Sequence, residues 1–102
     1  MTDGRRSDAA LADLVRDQAG LIAASLSRRL GDFDLAEEAV QDAIVTALRV
    51  WRRDGVPANP GGWLNLTARR NAIDRLRRRA RGERAALALA DEPAPRPAAT
   101  GA

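Results

Sequence analysis

Apolar positions recur at helical spacing along most of this chain. Between residues 8 and 30 they fall at Leu11, Leu14, Val15, Ile22, Leu26 and Leu30, a stripe that suits one face of a helix. Ser7 or Asp8 can cap its start and Gly31 can close its end, by the usual chemistry of helix ends. After a short connection at 31–34, Asp34 and Glu37 have capping-box spacing and predict the start of a second helix. Its buried stripe is Leu35, Ala39, Val40, Ala43, Ile44, Ala47, Leu48 and Trp51. Residues 52–62 hold two prolines and three glycines, which predicts a loop. Asn59-Pro60 offers an N-cap followed by a first-turn proline. A third helix is therefore expected from about residue 60 or 62 to 81, closed by Gly82, with Leu66, Ile73, Leu76 and Ala80 as its buried stripe. Residues 85–90 add at most a frayed turn.

The fold expected from this pattern is all-α. It is a compact bundle of three principal helices, with a Gly/Pro-rich loop before the third and a disordered C-terminal tail. The domain spans 8–84, residues 1–7 are a disordered N-terminus, and 85–102 form a linker or disordered tail rich in Pro and Ala. The first two helices should pack antiparallel, with the third across them, and Trp51 and Trp63 should be buried where the second and third meet.

Composition narrows the function classes. At 102 residues with 3% aromatics, the chain has room for one thin core filled by aliphatic side chains, which suits packed helices. It has no cysteine and no histidine. Disulfides, thiolate metal sites, the usual general base near neutral pH and the commonest metal ligand are all missing. No catalytic constellation, metal site or cofactor is expected. No signal segment or membrane span can be read, so the expectation is a soluble cytoplasmic protein. Charge is distributed unevenly. Residues 1–48 carry five arginines against nine acids, a balance of −4, while residues 49–84 carry eleven against three, a balance of +8. Such halves suggest two different partners.

Three motifs bear on chemistry. Glu38, Gln41 and Asp42 share one face of the second helix, either as an ordinary solvated face or as an acidic docking surface for a basic partner. On the third helix, residues 69–81 hold seven arginines against Asp74 alone, a density that calls for anions alongside, phosphates above all. Thr67, Arg70, Asp74, Arg77 and Arg81 form one ridge, and Arg75, Arg78 and Arg79 cover the rest of the outer surface. Asp74 either pairs with Arg70, Arg77 or Arg78 or accepts from a cytosine amino group. The loop before this helix is either a plain connector or a seat in which backbone groups and Asn59 hold an unstacked base; Trp63 is either core or a stacking platform.

Together these pieces resemble domain 2 of RNA polymerase sigma factors of the extracytoplasmic-function class, within the sigma-70 family. The segment Asp34-Leu-Ala-Glu-Glu-Ala-Val-Gln-Asp-Ala-Ile-Val-Thr-Ala-Leu-Arg-Val-Trp51 looks like the polymerase-binding helix of that family. The segment Trp63-Leu-Asn-Leu-Thr-Ala-Arg-Arg-Asn-Ala-Ile-Asp-Arg-Leu-Arg-Arg-Arg79 looks like its promoter-reading helix. The resemblance covers residues 8–84 and implies that Glu38, Gln41 and Asp42 face the clamp coiled coil of the polymerase largest subunit. It implies that Asn59, Trp63, Thr67, Arg69, Arg70, Asn71, Asp74, Arg75, Arg77, Arg78 and Arg79 contact the promoter −10 element, melt it and trap a base flipped from the non-template strand. Family members often carry asparagine where Arg70 stands here, so base preference does not carry over. An anti-sigma factor or a C-terminal regulatory extension is a further partner the resemblance admits. By this resemblance the region-4 domain of such factors is expected to be absent from these residues, and the chain is expected to be the first part of a longer factor. Two rival readings remain: a generic arginine-rich nucleic-acid-binding helical domain, and a helical adaptor for protein partners.

Overall fold

The computed structural model describes residues 2–91, with side chains over 4–90, and every regular element among them is helical. Helix α1 (Thr2–Leu14) runs through a π-helical turn (Val15–Ala19) into α2 (Gly20–Leu30), making one rod. No residue between Leu14 and Ile22 is fully buried. The rod is therefore held least where it takes up the extra residue of a π turn. Gly31 ends it in the left-handed region, at φ 70°, and its N–H returns to the Ser27 carbonyl at 2.8 Å, a conformation glycine adopts without strain.

The second principal helix, α3 (Phe33–Asp54), starts two residues earlier than its sequence suggests. Its N-cap is Asp32, whose carboxylate accepts from Leu35 N–H at 3.0 Å, so Asp34 sits in the first turn and the expected capping box is not used. The connection from the rod is thus only Gly31 and Asp32, which forces the rod and α3 antiparallel. At the other end, Gly55 N–H closes α3 on the Trp51 carbonyl at 2.8 Å. Helix α4 (Pro60–Asp91) follows the loop 55–59.

The core lies on both sides of α3. Leu11, Leu14, Ile22, Ala23 and Leu26 come from the rod, Leu64, Ala68 and Ala72 from α4, and Leu35, Ala36, Ala39, Val40, Ala43, Ala47 and Trp51 from α3 itself. Trp51 and Leu64 are the largest side chains fully buried. Alanine at four α3 positions lets neighbouring backbones come close, and the Asn71 side chain reaches the Ala39 carbonyl. Contacts between α3 and α4 step down one helix as they step up the other: Trp51 meets Trp63, Ala39 meets Asn71, Glu38 meets Arg75 and Asp32 meets Arg79. The third principal helix therefore lies antiparallel along the second rather than across it.

Three other expectations need correction. Residues 2–7, expected without structure, are helical. Ser7 is buried and donates to the Gly4 carbonyl, and Asp8 takes a two-pronged ion pair from Arg52 at the far end of α3, so this first stretch has something to pack on. Helix α4 does not stop at Gly82 but continues to Asp91, with every residue from 81 to 90 exposed. Alanine, leucine, glutamate and arginine there are strong helix formers, enough to outweigh one glycine at about 1 kcal/mol. Lastly, the buried stripe of α4 is Leu64, Ala68 and Ala72, while Leu66 and Ile73 are exposed. Residues 92–102, expected as a tail, lie outside the described residues.

Candidate nucleic-acid interface

Asn59 sets the start of α4. Its Oδ1 accepts from Gly62 N–H at 3.0 Å, and its own carbonyl accepts from Trp63 N–H at 2.9 Å, so it is the N-cap its sequence context suggests and Pro60 opens the first turn. A side chain at position 62 would collide with the Asn59 amide at 2.5 Å, and one at 61 would meet the Gln18 amide oxygen at 2.7 Å. The two glycines are what lets the cap and the rod sit against this turn. Next along, Trp63 is half-buried and stands edge-on to Trp51, with centroids 5.3 Å apart. It is mainly core, with one side toward solvent.

Beyond the cap, α4 sorts its polar residues onto two faces. Arg69, Arg70, Asp74, Arg77, Arg78 and Arg81 are exposed, and Thr67 is half-buried at their edge. The other face turns toward α3 and carries Asn71, Arg75 and Arg79. Asn71 donates to the Ala39 carbonyl at 3.4 Å. Arg75 spans Glu38, at 2.8 Å, and Asp42. Arg79 reaches Asp32 at 2.8 Å. The sequence reading placed Arg75 and Arg79 on the outer surface; both lean toward α3, Arg75 half-buried and Arg79 still exposed, because Ala68 and Ala72, not Ile73 and Leu76, set the rotation of the helix. Asp74 enters none of the ion pairs among the described residues; only its carbonyl is used, by Arg78 Nε at 3.4 Å.

These pairings shape the electrostatics. The Arg79 guanidinium, and then the Leu35 N–H, hold the Asp32 carboxyl below the usual carboxylate range. Asp42, ahead of Glu38, pushes the Arg75 guanidinium up. The acidic face of α3 is therefore already engaged. Glu38 and Asp42 are exposed but share Arg75, and only Gln41 of that trio is without a side-chain hydrogen bond among the described residues. Of the sequence-derived site residues, the fold brings together Arg69, Arg70, Asp74, Arg77 and Arg78 on one outer face and Glu38, Gln41 and Asp42 on another.

The sequence reading missed Asp32, because Asp34 offered a better-looking cap, and with it the Asp32–Arg79 pair. It also missed a small cleft between α2 and α4, of about 190 Å³, lined by Ser25, Leu26, Arg29, Gly62, Asn65, Leu66 and Arg69. Arg29 and Arg69 make that cleft a basic groove. No group of three or more metal-ligating side chains occurs among the described residues, and no described helix is long and apolar enough to cross a membrane.

The profile of the family described as Sigma-70 region 2 matches residues 14–82. The chain is 44% identical over 57 residues to a protein of Rhizobium meliloti (strain 1021) described as uncharacterized, a stretch that covers 56% of the chain and 14% of that relative. The match thus spans about one seventh of the length of that relative. No solved structure matches.

Proposed function

Because the chain belongs to the sigma-70 region 2 family, whose domains serve promoter recognition and RNA polymerase binding in transcription initiation, we propose that it is the −10-reading and polymerase-docking domain of a sigma factor of the extracytoplasmic-function class. The observation that carries this is the two-faced arrangement around α3 and α4. Arg69, Arg70, Arg77, Arg78 and Arg81 point outward from one helix with Asp74 as the one acid among them. Glu38, Gln41 and Asp42 stand exposed on the neighbouring helix. Phosphates suit the first set, and a basic helical partner, the clamp coiled coil of the polymerase largest subunit, suits the second.

In this reading the outer arginines hold the non-template strand and the start of α4 selects the base. Asn71 is turned to α3 and Asn59 Oδ1 is used in the cap. The base-edge contact therefore falls to Arg70, with Arg69 and Thr67 beside it, and the Asn59 amide nitrogen remains available as a donor. Arginine's fork is best matched by the guanine edge. Titration of the domain at low salt against single-stranded oligonucleotides, each varied at one −10 position, should show one sequence bound best. A flat profile would sink promoter reading and leave a generic arginine-rich binder. Retention of polymerase core by the domain, lost in a Gln41→Ala, Asp42→Ala double variant, separates this reading from that binder and from an unrelated adaptor.

A further inference from the structure

Two surfaces of this molecule compete for the same atoms. Arg75 belongs to the arginine-rich helix that would bind nucleic acid, and Glu38 and Asp42 belong to the face that would bind a protein. In the structure they bind each other. Arg75 Nη1 donates to Glu38 Oε2 at 2.8 Å and Nη2 donates to Asp42 Oδ2. We propose that Glu38 and Asp42 are an exchange site: Arg75 occupies them in the free domain, and a basic side chain of the docking partner replaces it, turning the Arg75 guanidinium out to a nucleic-acid phosphate.

The seat is suited to exchange in three ways. It is shallow, since both acids are more than half exposed and the Arg75 side chain keeps 30% of its surface in solvent. Pairs of that exposure contribute little net free energy, so a competitor of equal charge can displace one at low cost. It is also incomplete, because Arg75 Nε is buried with no acceptor, a loss that turning outward would relieve. And Arg75 has somewhere to go. It lines one groove with Arg78, Arg79, Leu35, Glu38 and Asp42, so the released charge joins an existing arginine row. Arg79 stays on the helix cap at Asp32 and keeps α4 in register while Arg75 swings. This rests on the docking reading above. Its consequence is reciprocal: a partner on α3 must tighten nucleic acid on α4, and nucleic acid must tighten the partner by the same factor.

The test uses the whole 102-residue chain, a −10 oligonucleotide and polymerase core. Glu38→Gln with Asp42→Asn should release Arg75 without any partner. The slope of log affinity for single-stranded DNA against log salt should then steepen by about 0.7, one more phosphate contact. Adding Arg75→Gln should abolish that increment. If the increment survives Arg75→Gln, removal of acidic charge alone explains it and the exchange is wrong; it is equally wrong if no increment appears while the thermal midpoint shows a folded double variant. Should the double variant unfold, Asp42→Asn alone reports the same increment at smaller size. In a second arm, the oligonucleotide should tighten core binding of the wild type about fivefold, at the low end of allosteric couplings, and that of Arg75→Gln not at all. Core binding with equal coupling in both proteins overturns the exchange but spares the docking reading. No core binding by either protein overturns the docking reading and, with it, exchange with polymerase.

Discussion

Single side chains hold this domain at identifiable points, and they differ in how plainly the sequence shows them. Trp51 was visible as the last position of an apolar stripe, and it is 1% exposed, wedged against Trp63. Truncation of a buried tryptophan costs about 3–5 kcal/mol, and a domain this small has roughly 5 kcal/mol in all. Trp51→Ala should therefore keep only about 0–2 kcal/mol and melt at a much lower thermal midpoint by circular dichroism; an unchanged thermal midpoint would show that the core lies elsewhere. Asp32 was not visible, because a cap is set by backbone geometry and the Asp34–Glu37 spacing resembled one more closely. Its carboxyl lies below the usual carboxylate range, chiefly through Arg79. A group whose folded pKa is depressed stabilises the fold in full above its unfolded pKa and loses that effect as pH falls toward the folded value. Asp8, depressed by Arg52, acts in the same direction. Asp32→Asn keeps a good capping oxygen but removes the charge. Its thermal midpoint should be somewhat lower at neutral pH and should fall less steeply than that of the wild type between about pH 5 and pH 3. Parallel acid curves would mean that the Asp32–Arg79 pair does not form in solution.

At the scale of elements, existence was legible and rotation was not. The three helical rods, the Gly31 stop and the Asn59-Pro60 start follow from spacing and end chemistry. The face that α4 buries does not, because the periodic signal was carried by large apolar residues and the interface is made by small ones. Leu66 and Ile73 outrank Ala68 and Ala72 on any hydrophobic scale. Yet α3 presents alanine at 36, 39, 43 and 47, all fully buried, so the two backbones come too close for a leucine between them. Ala68→Leu or Ala72→Leu should each cost about 1–3 kcal/mol through overpacking. Leu66→Ala and Ile73→Ala, at exposed positions, should change stability by no more than about 0.5 kcal/mol. Chemical denaturation of the four variants decides between the faces. The reverse ranking would restore the stripe read from periodicity and would turn Arg75 back outward.

At the scale of the whole molecule, the charge asymmetry was plain in the sequence, but the fold changes what it amounts to. Counting along the chain puts seven arginines in residues 69–81 at the disposal of nucleic acid. In three dimensions α4 lies antiparallel along an acidic helix, and Arg75 and Arg79 are spent on Glu38, Asp42 and Asp32. The other five, Arg69, Arg70, Arg77, Arg78 and Arg81, are exposed and enter no ion pair among the described residues. Each phosphate contact on a single strand adds about 0.7 to the magnitude of the salt slope, so this segment of the free domain should supply at most about 3.5, against about 5 if all seven took part. Within the five the work divides further. Arg78→Ala should weaken all oligonucleotides alike and flatten the slope by about 0.7. Arg70→Ala should in addition cost about 1–3 kcal/mol on the preferred base and less on the others, since it stands two turns nearer than Arg78 to the capped start of α4, where a base edge can approach. Titration of wild type and both variants over a salt series resolves each term. A base preference that moves with Arg78 and not with Arg70 would place the reading edge two turns further along α4, away from the loop.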